Sequence, residues 1–225
     1  MKLLFKEEVE GSRVLGAFLL LIVGFVILMM DNTPVSFFIV LLSGLIGSWL
    51  VFSFDGLKKI FSRPKKGSVK FILLSIVTAY VISISTGIIS THILHETPAT
   101  NSIKEQFNGS ILDSFLMLFK TIFMIAGEEI LVILPLIIFV SLLIHKTKIS
   151  QSKAIIIATI ITAIIFGAIH LPTYQWNIFQ CFLVVALTRI PFTIVSLKSD
   201  SIIAGIIGHI AFDWIIFLGM IISQL

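Results

Sequence analysis

Seven stretches of this chain are apolar for long enough to cross a lipid bilayer, and no other feature restricts its fold as much. They are Val14–Met30, Val35–Phe54, Val69–Ser90, Ile111–Ile144, Ala154–His170, Trp176–Val195 and Ile202–Ile222. A helix needs about 20 mostly apolar residues to span a hydrocarbon core roughly 30 Å thick. In lipid the backbone must satisfy its own hydrogen bonds, which a helix does within one segment. Composition agrees. Hydrophobic residues make up 57% of the 225 residues and charged residues only 12%, where a soluble domain carries about 25% charge. A soluble fold of this size leaves too much surface in water to hide that apolar content, and a disordered chain has the opposite composition. The expected fold is an all-α polytopic membrane protein of about seven transmembrane helices, forming one integral membrane domain. The single cysteine, Cys181, excludes a disulfide framework and a cysteine-built metal site.

The fourth stretch runs 34 residues, too long for a simple span. It reads as one tilted helix kinked near Pro135, or as two segments meeting at Gly127. The basic residues decide how often it crosses. Lys and Arg collect on the cytoplasmic side. They occur in the amino-terminal tail (Lys2, Lys6, Arg13), in the second connection (Lys58 to Lys70) and after the fourth stretch (Lys146, Lys148, Lys153). The opposite connections carry only Lys104. This alternation requires a single crossing by Ile111–Ile144. The protein is therefore expected in the cell membrane as a multi-pass protein, amino terminus cytoplasmic and carboxyl terminus extracytoplasmic. Residues 1–110 supply helices one to three with a basic cytoplasmic loop, and residues 111–225 supply helices four to seven. Asp31-Asn32-Thr33-Pro34 offers no small-residue cleavage site, so the first span reads as retained rather than as a signal peptide. The basic loop abuts a span, which fits contact with anionic lipid better than a nucleic-acid patch. In the outer loop, His92, His95 and Glu96 read as a solvated loop end rather than a metal site.

Ionisable groups inside spans are costly, about 2.5–3.5 kcal/mol for a central charge, and usually functional. Glu128 and Glu129 lie in the middle of the fourth stretch, after Gly127, which permits close approach of another backbone. His170 ends the fifth. His209 and Asp213 lie on one face of the seventh, four residues apart. Singly, each has a structural reading. Together, two glutamates, two histidines and an aspartate in three apolar spans point to one shared polar site inside the bundle. A carboxylate beside an imidazole can take a proton from water and pass it to a leaving amine, while a second imidazole donates to an oxyanion. Glu128, His170, His209 and Asp213 would also suit a zinc ion holding a water in its open position. Either route gives amide hydrolysis within a membrane. At about 1.5 Å per residue, Glu128 stands roughly 25 Å from the cytoplasmic end of its span, but His209 only about 13 Å from Asp200. Tilt, or a last span that starts deep, would reconcile the two. Tyr174 and Trp176, just after His170, read either as interface aromatics or as a lid over the site.

Glu128-Glu129, then Phe166-x-x-x-His170, then His209-x-x-x-Asp213, on separate spans, resemble the three motifs of the CPBP (Abi, or CAAX protease and bacteriocin-processing) intramembrane proteases. That family includes the type II CAAX prenyl endopeptidases. The resemblance covers residues 111 to 222 and implies an intramembrane endopeptidase acting on a membrane-associated or secreted peptide or protein. Bacteriocin-type processing or self-immunity is among the roles it implies. Glu128 would be the general base, assisted by His170. Glu129 would support the site, and His209 with residue 213 would bind the oxyanion. Two positions depart from the pattern. The family motif continues to an arginine where this chain has Ile133, with Arg189 on the sixth span as a candidate substitute. The third motif often ends in asparagine, here Asp213, which would then be protonated, orient His209 or ligate a metal. A non-catalytic CPBP-like membrane scaffold or immunity protein and a proton-coupled carrier are the other readings of these residues.

Overall fold

In the computed structural model, residues 1–30, 35–101, 103, 107 and 110–222 are described. Residues 31–34, on which the reading of a retained first span rests, and Lys104 lie outside them. The element order is a 3-10 turn (Lys2–Lys6) followed by α1 (Gly11–Met30), α2 (Ser36–Ile60), α3 (Ser68–Ile88), α4 (Ile111–Thr147), α5 (Gln151–Ile169), α6 (Ala186–Ser199) and α7 (Ile202–Ile222). A π-helical turn, Ile89–Ile93, prolongs α3, and another, Gln180–Val185, leads into α6. Among the described residues, seven helices are thus long and apolar enough to span a membrane, as a multi-pass membrane protein requires.

The fourth stretch is one unbroken helix of 37 residues that passes through both Gly127 and Pro135. It starts where a capping box requires. Ser110 Oγ accepts the Asp113 N–H, and Asp113 accepts the Ser110 N–H in return, an arrangement worth about 1 kcal/mol. The helix stops at Lys148, whose left-handed backbone (φ 57°) ends the ladder. α4 is the hub of the bundle. Its apolar window is 72% buried, against 17% for the third span and 56% for the sixth. α2, α5 and α7 pack on it, α1 packs on α2, and α3 packs on α6 and α7. The outward faces of α1, α3 and α5 expose Leu19, Ile22, Leu73, Val77, Ile160 and Ile164. Only lipid covers such faces without cost.

Several helix boundaries differ from the sequence reading. The sixth span begins at Gln180, not Trp176, because Gln175 and Trp176 both adopt left-handed backbone (φ 53° and 62°) in the turn before it. The fifth helix ends at Ile169, leaving His170 as its C-cap. α2 keeps its hydrogen-bonded run past Phe54 but breaks at Ser53 (φ 60°, ψ −177°), close to where the apolar stretch ends.

The turn joining α6 to α7 is enclosed by the rest of the protein. Ser199 and Ser201 are buried, because protein covers them. The Lys2 N–H donates to Asp200 Oδ1 (2.7 Å), Lys65 Nζ pairs with Asp200 Oδ2 (3.3 Å), and Ser201 Oγ donates to the Ser62 carbonyl. Leu4 and Phe5 of the amino-terminal turn are fully buried in the same core as α4, and Ser141 Oγ donates to the Glu7 carbonyl (2.6 Å). The last span therefore starts beneath a roof of protein, made by the amino-terminal turn and the α2–α3 connection. The burial of Met1, Leu4 and Phe5 was not anticipated, although the apolar pair Leu4-Phe5 carried the signal.

Candidate active site

Glu129 sits on the central helix with no solvent exposure. Burying a carboxylate there demands a partner of opposite charge. Arg189 of α6 supplies it, with Nη1 to Oε1 at 2.6 Å and Nη2 to Oε2 at 2.9 Å. This two-pronged pairing matches the planar fork of the guanidinium. Arg189 is itself only 1% exposed. Phe166 lies against the guanidinium, 5.3 Å from ring centre to Cζ. Arg189, the candidate substitute for the arginine missing at position 133, thus reaches Glu129 from another helix. Ile133 is fully buried in the apolar core.

Glu129 also holds His209, whose Nδ1 donates to Oε1 at 2.8 Å. The His209 ring stacks on Phe192 (centroids 4.8 Å apart, 13° between planes). Its other nitrogen, Nε2, meets Asp213 Oδ2 at 3.4 Å and Glu128 Oε2 at 4.0 Å. Asp213 Oδ2 thus faces His209 Nε2, the contact that an orienting role requires. Gly205, one turn before His209, lets α7 come this close. A Cβ there would lie 2.7 Å from Glu129 Oε2. Gly127 does the same for α2, since its Cβ would stand 2.8 Å from the Leu41 nitrogen.

The two glutamates face different surroundings. Glu129 is closed in, whereas the Glu128 side chain is 16% exposed and borders a cavity of about 710 Å³. His170, His209, Asp213 and Tyr174 border it too. His170 Nδ1 bonds the Phe166 carbonyl at 2.7 Å, one of the orphan carbonyls at the end of α5. That bond assigns the proton to Nδ1 and leaves Nε2 with its lone pair. All five residues singled out from sequence therefore belong to one neighbourhood. Tyr174 lies at the cavity, while Trp176 is 67% exposed, as an interface aromatic would be. His92 and His95 are exposed. The sequence reading missed Phe192, which positions His209, and Gln180, a lone carboxamide at the edge of an apolar run that also borders the cavity.

Residues 110–215 match the family model described as Rce1-like, type II CAAX prenyl endopeptidase Rce1-like. This segment is an Rce1-like CAAX-protease-family domain. Its limits coincide with the region that carries the three motifs. The curated proteins and the solved structures give no match. Within the Rce1-like domain, the zinc reading asks for three or more donors converging on one point. Among the described residues no such group of His, Cys, Asp and Glu occurs. His209 already turns one nitrogen to Glu129 and the other toward Asp213 and Glu128, and the Arg189 cation sits beside them. As arranged, these donors do not fit a metal ion.

Proposed function

We propose that this protein is an intramembrane endopeptidase whose water is activated by Glu128 and His170. The observation that carries this reading is the division of labour between adjacent glutamates. Glu129 is locked by Arg189 and His209, while Glu128 and His170 share the cavity. A water held between them gives its proton to Glu128, and the hydroxide adds to the carbon of a peptide carbonyl. His209, donating at Nδ1 to Glu129, binds the resulting oxyanion through Nε2–H as an imidazolium, with Asp213 steadying the ring. Collapse breaks the C–N bond. Glu128 returns its proton to the leaving amine, so one water is consumed and an acid and an amine are released.

The substrate is a peptide segment within, or anchored to, the bilayer, because the cavity is walled by the spanning helices. Processing of bacteriocin-type peptides, or immunity to them, is one such role, carried by the family resemblance alone. The test uses the whole protein in lipid nanodiscs with a pool of quenched fluorescent peptides, some carrying a lipid anchor, with and without EDTA. Wild type should cleave, with EDTA making no difference. Glu128→Gln and His170→Ala should each lose about 10²–10⁴-fold, the range of general acid–base groups, while still purifying as folded protein. Unchanged turnover by Glu128→Gln would overturn the proposal.

A further inference from the structure

The connection between α3 and α4 is tied to the approach to α6 in an unusual way. Gln180 uses its whole carboxamide on the backbone of one residue. Its Oε1 accepts the Ala99 N–H at 2.7 Å, and its Nε2 donates to the Ala99 carbonyl at 3.0 Å. Three residues earlier, Asn177 Nδ2 donates to the Thr97 carbonyl at 3.0 Å. In an extended strand the N–H and C=O of alternate residues point to the same edge. Thr97 and Ala99 are spaced as such a pair, and Pro98 between them biases Thr97 toward extended backbone. Two carboxamides thus hold the backbone of this irregular segment, as an exposed sheet edge holds an added peptide. Such contacts ignore side-chain identity. Further along, Asn101 Nδ2 donates to the Tyr174 hydroxyl at 3.2 Å. Ala99, Thr100 and Asn101 border the same cavity as Glu128 and His170, and Gln180 does too. The Asn177 position is rigid, because its Oδ1 accepts the Gln180 N–H at 2.9 Å and caps the helix start.

We infer that Gln180, seconded by Asn177, is the clamp for the substrate's peptide backbone, and that residues 97–101 occupy it as a pseudosubstrate until substrate displaces them. The inference rests on the protease reading for its consequence in turnover, but its binding step stands apart from it. Gln180 is a positioning residue: it holds backbone and touches no reacting atom.

Two substitutions pull in opposite directions. Gln180→Ala, added to a protein whose segment is already weakened by Ala99→Pro, removes the clamp from the substrate alone and should raise KM for the peptide pool roughly tenfold, the size of two lost neutral hydrogen bonds, with kcat changed far less. Gln180→Glu in the same background keeps the acceptor but not the donor and should fall between. Ala99→Pro deletes the N–H that Gln180 accepts, so the pseudosubstrate is weakened while the clamp remains, and KM should fall. If Ala99→Pro, and Gln180→Ala added to it, shift KM in the same direction, the segment is a structural tie and the inference fails. Binding is read separately by amide hydrogen exchange on the Glu128→Gln protein. The peptide pool should speed exchange across residues 97–101 in this protein, and much less so after Gln180→Ala is added. No change in that segment on adding the pool also overturns the clamp. If exchange responds but wild type cleaves nothing, the clamp stands and the protease reading falls.

Discussion

Arg189 grips both oxygens of Glu129 across the α4–α6 interface, at 2.6 and 2.9 Å, and both side chains are closed to solvent. This pair is the anchor to which His209, and through it Asp213 and Glu128, are referred. A buried pair of this kind contributes little net stability, but removing one member strands the other.

Arg189→Met should therefore destabilise the protein by about 3–5 kcal/mol, and Glu129→Gln by a comparable amount. The double variant should lose much less than the sum, because neither charge is left alone. Thermal unfolding of the four proteins in one detergent checks this. Additive losses would mean that the two side chains do not act as a pair.

Asp213 touches His209 Nε2 at 3.4 Å, and asparagine can keep that contact by accepting through its amide oxygen. Asp213→Asn should retain cleavage within about tenfold, whereas Asp213→Ala should lose about 10²-fold or more, within the span attributed to general acid–base groups. Steady-state rates on the peptide pool separate the two. Equal losses would remove the orienting role.

Asp200 gives a pH dependence outside the spans. Burial pushes its carboxyl up. The Lys2 N–H, the amino-terminal ammonium and Lys65 outweigh burial and hold it below the ordinary carboxylate value. A group depressed in the folded state adds stability above its unfolded value, about 3.9, and loses it as pH falls through the folded value. Wild type should thus lose an increment of thermal stability below about pH 4 that Asp200→Asn lacks. The Asp200→Asn protein should be the less stable one at neutral pH, and the two melting curves should converge in acid.

Orientation follows from the Lys and Arg distribution. The native Cys181 is buried, so it should stay silent toward maleimides. Single cysteines replacing His92 and Lys66, both exposed, should differ. An impermeant maleimide added to intact cells should label the former and spare the latter until the cells are opened. The reverse pattern would invert the topology.

The sequence alone determined the membrane class, the seven spans and the identity of the polar residues, because apolar runs and charges inside them are local properties that tertiary contacts cannot erase. Even the single continuous helix over the Ile111–Ile144 stretch was legible, through the placement of lysines beyond its ends. Only the tertiary structure decided what each polar residue meets. Glu128 and Glu129 are neighbours of the same type, yet helical rotation of about 100° per residue turns one into the cavity and the other onto Arg189. Arg189 lies 60 positions away in sequence, and no periodicity links the two. The buried turn at Ser199–Ser201 depends in the same way on an amino-terminal segment that reaches it only in the folded bundle. Charge pairing and depth are set by which helices become neighbours, a choice made by packing of the whole bundle rather than by any one of its segments.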